Sequence, residues 1–312
     1  MKTVSNFIAI AALVILFGYI SFNETRHVSG PQKMSDENVA EMQFVLEDGP
    51  SPAVSLSLPE HVDFAGEPVP VEMPDVYERL DKELQINTYF HSNTLFLIKR
   101  ANRWLPQIEE ILRKNDVPDD FKYLPLIESN LLNEISPKNA VGYWQILKAA
   151  GKENGLTIND EVDERYDPLK ATEAACRYLK TAYRKFGNWT LVAASYNRGM
   201  NGLQRAIDDQ QVNSYYDLYL NEETSRYVFR ILAIKEIVEN PLRYGFHVNP
   251  KHLYKEEPLR YVEVKETIKD LVSFAKQHNS NYKQIKRYNP WLRDDKLTVK
   301  RGNEYRIAFP EK

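Results

Sequence analysis

The spacing of apolar residues changes character three times along the chain. From Phe7 to Phe22 it is nearly continuous, with Ile8, Ile10, Leu13, Val14, Ile15, Leu16 and Phe17 following Lys2. This marks residues 1–24 as a targeting segment, either a removed signal peptide or a membrane anchor. Its length falls between a signal core and a full span of about 20 residues, and no Ala-x-Ala site follows, so an uncleaved anchor is favoured. Residues 25–73 lose any sustained helical period and carry Pro31, Pro50, Pro52, Pro59, Pro68 and Pro70, which predicts an extended linker. Within it, the alternation from Val54 to Leu58 allows a short strand pairing.

Between residues 74 and 245 the period becomes helical. Leu105, Ile108, Ile111 and Leu112, then Ala174, Tyr178, Leu179 and Ala182, then Val228, Ile231, Leu232, Ile234 and Ile237 each trace one face of a helix. Asp167-Pro168 is a helix-start signal, and Asn188 before Trp189 is a cap. Residues 246–312 read differently. Arg260 to Val264 and Glu304 to Phe309 alternate as strands, while Thr267–Gln277 and Tyr282–Tyr288 read as helices. The fold class expected is mainly α, with a small C-terminal βααβ module.

Composition narrows the function classes. A formal charge of −3 with interspersed signs gives no footprint for nucleic acid. Cys176 is the only cysteine, so no intramolecular disulfide forms; on its helical stretch it is a packed side chain before it is a nucleophile. Only His247 and His252 lie close together among six histidines, without further ligands, so neither a metal nor a cofactor is expected.

The stretch with the clearest chemistry is Tyr123-Leu124-Pro125-Leu126-Ile127-Glu128-Ser129-Asn130, which ends an apolar run on one glutamate. Apolar surroundings disfavour the charged form, so such a carboxyl is suited to act as a general acid. Alone, a glutamate at a helix end is usually solvated. It is followed, in order, by Gly142-Tyr143-Trp144-Gln145, by Asp163 to Pro168, by Ser195-Tyr196-Asn197-Arg198-Gly199 and by Glu223-Thr224-Ser225-Arg226-Tyr227. Asp163, Arg165 and Asp167 are assigned to the scaffold, as a polar cluster opening a helix.

This ordered set resembles the lytic transglycosylases with a soluble-type, goose-lysozyme-like catalytic domain, most closely the murein transglycosylase D group, over roughly Tyr77 to Gly245. The resemblance implies a lysozyme-like helical catalytic domain over 74–245 and cleavage of the MurNAc-GlcNAc β-1,4 bond of peptidoglycan without water, leaving 1,6-anhydroMurNAc ends. It implies Glu128 as the sole acid and base, supported by Ser129. Gly142, Trp144 and Gln145 fall on the Gly-Leu-Trp-Gln motif, Tyr196 and Asn197 on Ala-Tyr-Asn, and Tyr227 on the tyrosine that approaches the carboxyl. Tyr143 and Ser195 depart from the pattern, which bears on subsite shape. The C-terminal module resembles a LysM domain, with Asn289-Pro290 matching and Lys265-Glu266-Thr267-Ile268 standing where Gly-Asp-Thr-Leu is usual; glycan binding and a capping role both stay open. The implied partner is the glycan strand, and the implied location the periplasm or cell envelope, with membrane contact if the N-terminal segment is retained. Two other readings stay open. One is a goose-type hydrolase using Asp160, Glu161, Asp163 or Glu164 to activate water, and the other a non-catalytic wall-binding protein.

Overall fold

The computed structural model describes residues 54–311, so the targeting segment and most of the expected linker lie outside the described residues. The described chain is mostly helical. Helices α1 (Pro74–Tyr89), α2 (His91–Lys114), α3 (Leu124–Ser129), α4 (Lys148–Glu153), α5 (Pro168–Phe186), α6 (Trp189–Arg198), α7 (Met200–Gln210) and α8 (Glu222–Glu239) share one core. The long helices begin where the sequence supplies caps. Asp167 accepts hydrogen bonds from the Leu169 and Lys170 amides at 3.0 and 3.1 Å with Pro168 in the first turn, and α5 ends on Gly187 at φ +64°. Asn188 caps α6 through the Leu191 amide at 2.8 Å. Tyr227, Val228, Ile231, Leu232, Ile234 and Ile237 of α8 are all buried, each contributing roughly 1.5–3 kcal/mol of transfer free energy for a large apolar side chain. Cys176 is buried on α5, and desolvation pushes its thiol up to about 12, the state of a packing residue.

The segment before α1 departs from the extended linker expected as far as residue 73. Asp63–Phe64 (β1) and Glu67–Pro68 (β2) form a tight antiparallel hairpin, with Phe64 and Val69 buried and Leu56, Leu58 and Val62 packed on the core. The alternating residues before it form no strand. Two carboxylates fasten the hairpin. Glu67 accepts from the Trp189 and Thr190 amides at 2.6 and 2.8 Å and from the Thr190 hydroxyl at 2.7 Å, serving as a second, distant cap for α6. Asp120 accepts from the Ala65 amide at 2.7 Å and from Lys235 Nζ at 2.8 Å.

The C-terminal module begins later than residue 246. Phe246 is buried in the helical core, and the chain beyond it lies along α2: the Tyr254 amide donates to the Lys99 carbonyl, and Asn102 and Arg103 donate to the Tyr254 and Lys255 carbonyls. Strands β3 (Leu259–Val264) and β4 (Tyr305–Pro310) then pair antiparallel around α9 (Leu271–Gln277) and α10 (Tyr282–Tyr288). Helix α9 starts four residues after the expected Thr267, because Asp270 caps it through the Val272 and Ser273 amides. Asn289 is buried and ties α10 to β4. Its amide donates to the Ile285 and Ala308 carbonyls, and its oxygen accepts the Ala308 amide at 2.7 Å.

Val141, Val162 and Tyr166 of the helical domain join the module's core. The Asp163 amide donates to the Trp291 carbonyl, the Arg293 amide donates to the Glu161 carbonyl, and the Glu161 carboxylate accepts from the Thr298 amide at 2.6 Å. The Arg293 guanidinium stacks 3.9 Å from the Tyr166 ring. Replacing Glu67 tests whether the hairpin belongs to the fold. Glu67→Ala removes three charge-assisted hydrogen bonds and is expected to cost about 1–2 kcal/mol in urea unfolding; an unchanged midpoint contradicts that assignment.

Candidate active site

Glu128 lies near the end of α3, a six-residue helix whose Leu124, Leu126 and Ile127 side chains are buried. The helix stops abruptly, since Asn130 and Leu131 both adopt positive φ, at +53° and +57°. Holding a leucine in that left-handed conformation costs about 1–2 kcal/mol, a strain of the kind that gathers at functional sites. Across from Glu128 stands α8, where Tyr227, only 1% exposed, donates its hydroxyl hydrogen to the Glu128 carboxyl. One turn on, Arg230 donates to the Ile127 carbonyl at 2.6 Å.

The Glu128 residue is partly accessible, while its carboxyl is enclosed by packed groups. Burial raises its pKa above the ordinary 4.5. The Tyr227 hydrogen bond and the Arg230 charge pull the other way, and the Glu223 charge adds to the rise, so burial decides the sign. Burial together with the neighbouring Glu128 charge lifts the Tyr227 and Tyr196 phenols well above their usual range, so both stay neutral donors.

The other expected residues are tied to the loops and helices around Glu128 by hydrogen bonds of their own. Ser129 does not bond the Glu128 carboxyl; its hydroxyl donates to the Tyr143 carbonyl at 2.9 Å, tying the end of α3 to the Gly142 loop. Gly142 sits at φ +81°, and a Cβ there would lie 2.1 Å from the Arg165 carbonyl oxygen, so only glycine fits. Trp144 is fully buried with its indole donating to Thr172 Oγ1 at 2.8 Å, so it supports the loop from the core. Gln145, at φ +46°, spends its amide hydrogens on the Glu134 and Gly142 carbonyls. Tyr196 donates to the Trp144 carbonyl at 2.7 Å. Asn197 is bound at both ends, donating to Glu223 Oε1 at 2.9 Å and accepting from the Thr224 hydroxyl at 2.8 Å.

Glu223 and Arg230 are the residues that motif reading missed. They lie four before and three after Tyr227, on the same face of α8, and that spacing is the signal that finds them once Tyr227 is placed. Asp163 and Arg165 form a buried pair at 2.7 Å, and the Arg165 guanidinium also donates to the Asn139 and Ile146 carbonyls, bracing the Gly142 loop. Glu164 accepts from the Thr157 amide and pairs with Lys170.

The raised pKa of Glu128 makes stability depend on pH. In the folded state Glu128 holds its proton above the ordinary glutamate range, so the stability it contributes is full below pH 4.5 and is lost as pH rises through the raised value. Glu128→Gln is therefore expected to unfold at higher urea than wild type near pH 8 and to lose that advantage at about pH 4. An advantage independent of pH contradicts the raised pKa.

Two known domain families match this chain. Residues 106–218 match the transglycosylase SLT domain, and residues 260–312 match the soluble lytic transglycosylase C-terminal LysM-like domain. The first match spans Glu128, the Gly142 loop, Tyr196 and Asn197, and ends before α8 brings in Tyr227. Membrane-bound lytic murein transglycosylase D of Escherichia coli strain K12 is 30% identical over 191 residues, covering 58% of this chain and 41% of the relative. The protein of the same name from Escherichia coli O6:H1 strain CFT073 gives the same values. The match thus spans well under half the length of these relatives. The chain carries a transglycosylase SLT domain and, after it, a LysM-like SLT C-terminal domain, and is homologous to membrane-bound lytic murein transglycosylase D.

Proposed function

We propose that the chain is a peptidoglycan lytic transglycosylase that works with Glu128 as its single acid and base. The observation that carries this reading is the enclosed Glu128 carboxyl, raised in pKa and hydrogen-bonded by a buried Tyr227. A carboxyl held neutral near working pH can protonate the glycosidic oxygen as the C1–O bond breaks and positive charge builds on the muramic acid ring. As carboxylate it then takes the proton from the C6 hydroxyl, whose oxygen closes onto C1. One C–O bond breaks, one forms, the proton returns to Glu128, and no water is consumed. The attacking group belongs to the substrate, so effective molarity replaces the second carboxylate that hydrolytic glycosidases need.

In this reading the Gln145 amide oxygen faces the sugar and the Tyr227 hydroxyl holds the acid, while Asn197 positions Glu223 at the rim. Ser129, Gly142, Trp144 and Tyr196 hold the loop that shapes the groove. The acids considered for water activation support it further. Three of the four, Asp163, Glu164 and Glu161, are engaged by Arg165, by Lys170 and by Thr298 with Lys296. The packing of the LysM-like module on the 158–166 segment supports a bracing role for it. Action on the wall places the protein in the cell envelope; among the described residues no helix is long and apolar enough to cross a membrane, and the expected anchor lies outside them.

Mass spectrometry of muropeptides released from sacculi tests the reaction. Products lighter by one water are expected, with release slowed at least about a hundredfold in Glu128→Gln. Reducing ends would instead mean hydrolysis, and equal rates in the two proteins would remove Glu128 from the chemistry.

A further inference from the structure

Helix α2 carries three cations in little more than one turn, Lys99, Arg100 and Arg103, and Arg100 and Arg103 both act on the Tyr143 hydroxyl of the Gly142 loop. Their charges are not equally matched. Arg103 donates to the Lys255 carbonyl at 2.8 Å, stacks on the Tyr254 ring and lies 3.5 Å from the Glu257 carboxylate. Lys99 Nζ has aromatic neighbours, Phe96 and Tyr254 at 5.8 and 5.9 Å, and no carboxylate partner among the described residues. Arg100 is the unusual one. Its Nε is buried with no hydrogen-bond partner, and it makes no ion pair among the described residues. The polar groups facing it are the Tyr254 and Tyr143 hydroxyls and the exposed Glu134, and burial without a close carboxylate lowers its pKa.

A half-buried guanidinium with no carboxylate partner carries a desolvation cost, and an anion bound at its outer Nη atoms relieves part of it. The fork geometry of arginine suits a carboxylate, which can take two parallel N–H bonds. The place is set by Tyr143. Its ring meets Trp104, one turn beyond Arg100 on α2, edge-on at 5.3 Å, and its carbonyl accepts from Ser129, the neighbour of Glu128. Glu134, which faces Arg100, offers its carbonyl to the Gln145 amide. The unmatched Arg100 thus borders the same loop that flanks the candidate acid, with Lys99 beside it against the Tyr254 ring. Each muramic acid of a glycan strand carries, through its lactyl group, a peptide with free carboxylates that projects sideways from the sugar backbone.

Resting on the transglycosylase reading above, we propose that Arg100, aided by Lys99, forms a subsite for a carboxylate of the stem peptide on the strand being cleaved. Tyr143, which departs from the leucine of the related motif, supplies its hydroxyl as a further donor. The subsite selects peptide-bearing over peptide-free glycan.

The test compares full-length wild type, Arg100→Gln, Arg100→Lys and Lys99→Gln on two substrates, glycan strands with stem peptides and strands stripped of them by an amidase. Arg100→Gln is expected to lower kcat/KM on peptide-bearing strands about tenfold, mainly through KM, while leaving peptide-free strands unchanged. Arg100→Lys should recover part of the loss, and Lys99→Gln should show a smaller loss confined to the same substrate. Equal loss on both substrates, or loss on neither, overturns the subsite; if Arg100→Gln does not fold, the substrate dependence of Lys99→Gln decides on the same criterion. Capture of an unattached wall polyanion would give inhibition by that polymer with no substrate difference, and also overturns it. A wild-type protein inactive on both substrates would instead bring down the transglycosylase reading itself.

Discussion

The hydrogen bond from Tyr227 to Glu128 joins one of the shortest helices of the domain to one of the longest, and the packing around both helices keeps that contact enclosed. Helix α3 has only six residues and little stability of its own, so its position comes from what it touches. Arg230 grips the Ile127 carbonyl, Ser129 grips the Tyr143 carbonyl, and Tyr227 holds the carboxyl itself. Helix α8 supplies two of those three contacts, and its opposite neighbours anchor it in turn. Glu83 of α1, almost fully buried, pairs with Arg226, and Lys235 reaches Asp120 and the hairpin. A carboxyl whose surroundings are fixed on this scale keeps its desolvation, and desolvation is the influence that sets its protonation.

A second line of support runs from the C-terminal module to the groove without touching it. Trp291, Arg293 and Thr298 engage the 161–163 segment, Asp163 holds Arg165, and Arg165 holds the Asn139 and Ile146 carbonyls on either side of Gly142. The close approach of the Gly142 Cα to the Arg165 carbonyl is the point where these supports meet the loop. The LysM-like fold here builds its own stability from Asn289 and the Asp270 cap. After Lys265 and Glu266, Thr267 Oγ1 accepts the Val299 amide, and Ile268 pairs with Leu297.

Much of this is legible in the sequence where the signals are local. The caps at Asp167 and Asn188, the strands of the module and the helical faces of α5 and α8 follow from residue spacing alone, because each is decided within one or two turns. The hairpin at 63–68 is hidden because its strands are two residues long and prolines surround them; its anchor, Glu67, acts on an amide more than a hundred residues away. The late start of the module has the same cause, since residues 246–258 are held by the helical domain rather than by any pattern of their own. In the site, motif order finds Glu128 and Tyr227, but it cannot separate residues that face the groove from those that brace it. Trp144, which sits in a motif beside Gln145, is buried in the core, and Ser129, expected to support the acid, bonds the Tyr143 carbonyl instead. Glu223 and Arg230 gain meaning only after tertiary packing decides which face of α8 meets Glu128.

In the proposed mechanism Glu128 is a buried acid whose proton affinity is set by its enclosure and trimmed by its neighbours. The pH dependence of kcat on sacculi, compared among wild type, Tyr227→Phe and Glu223→Gln, tests this most directly. Activity that needs protonated Glu128 falls as pH rises through its pKa. Removing the Tyr227 hydroxyl takes away a lowering influence and moves that falling limb to higher pH, whereas removing the Glu223 charge moves it lower. Opposite displacements of the limb are the predicted result; a limb that stays fixed in both variants, or moves the same way in each, contradicts a buried acid tuned in this way.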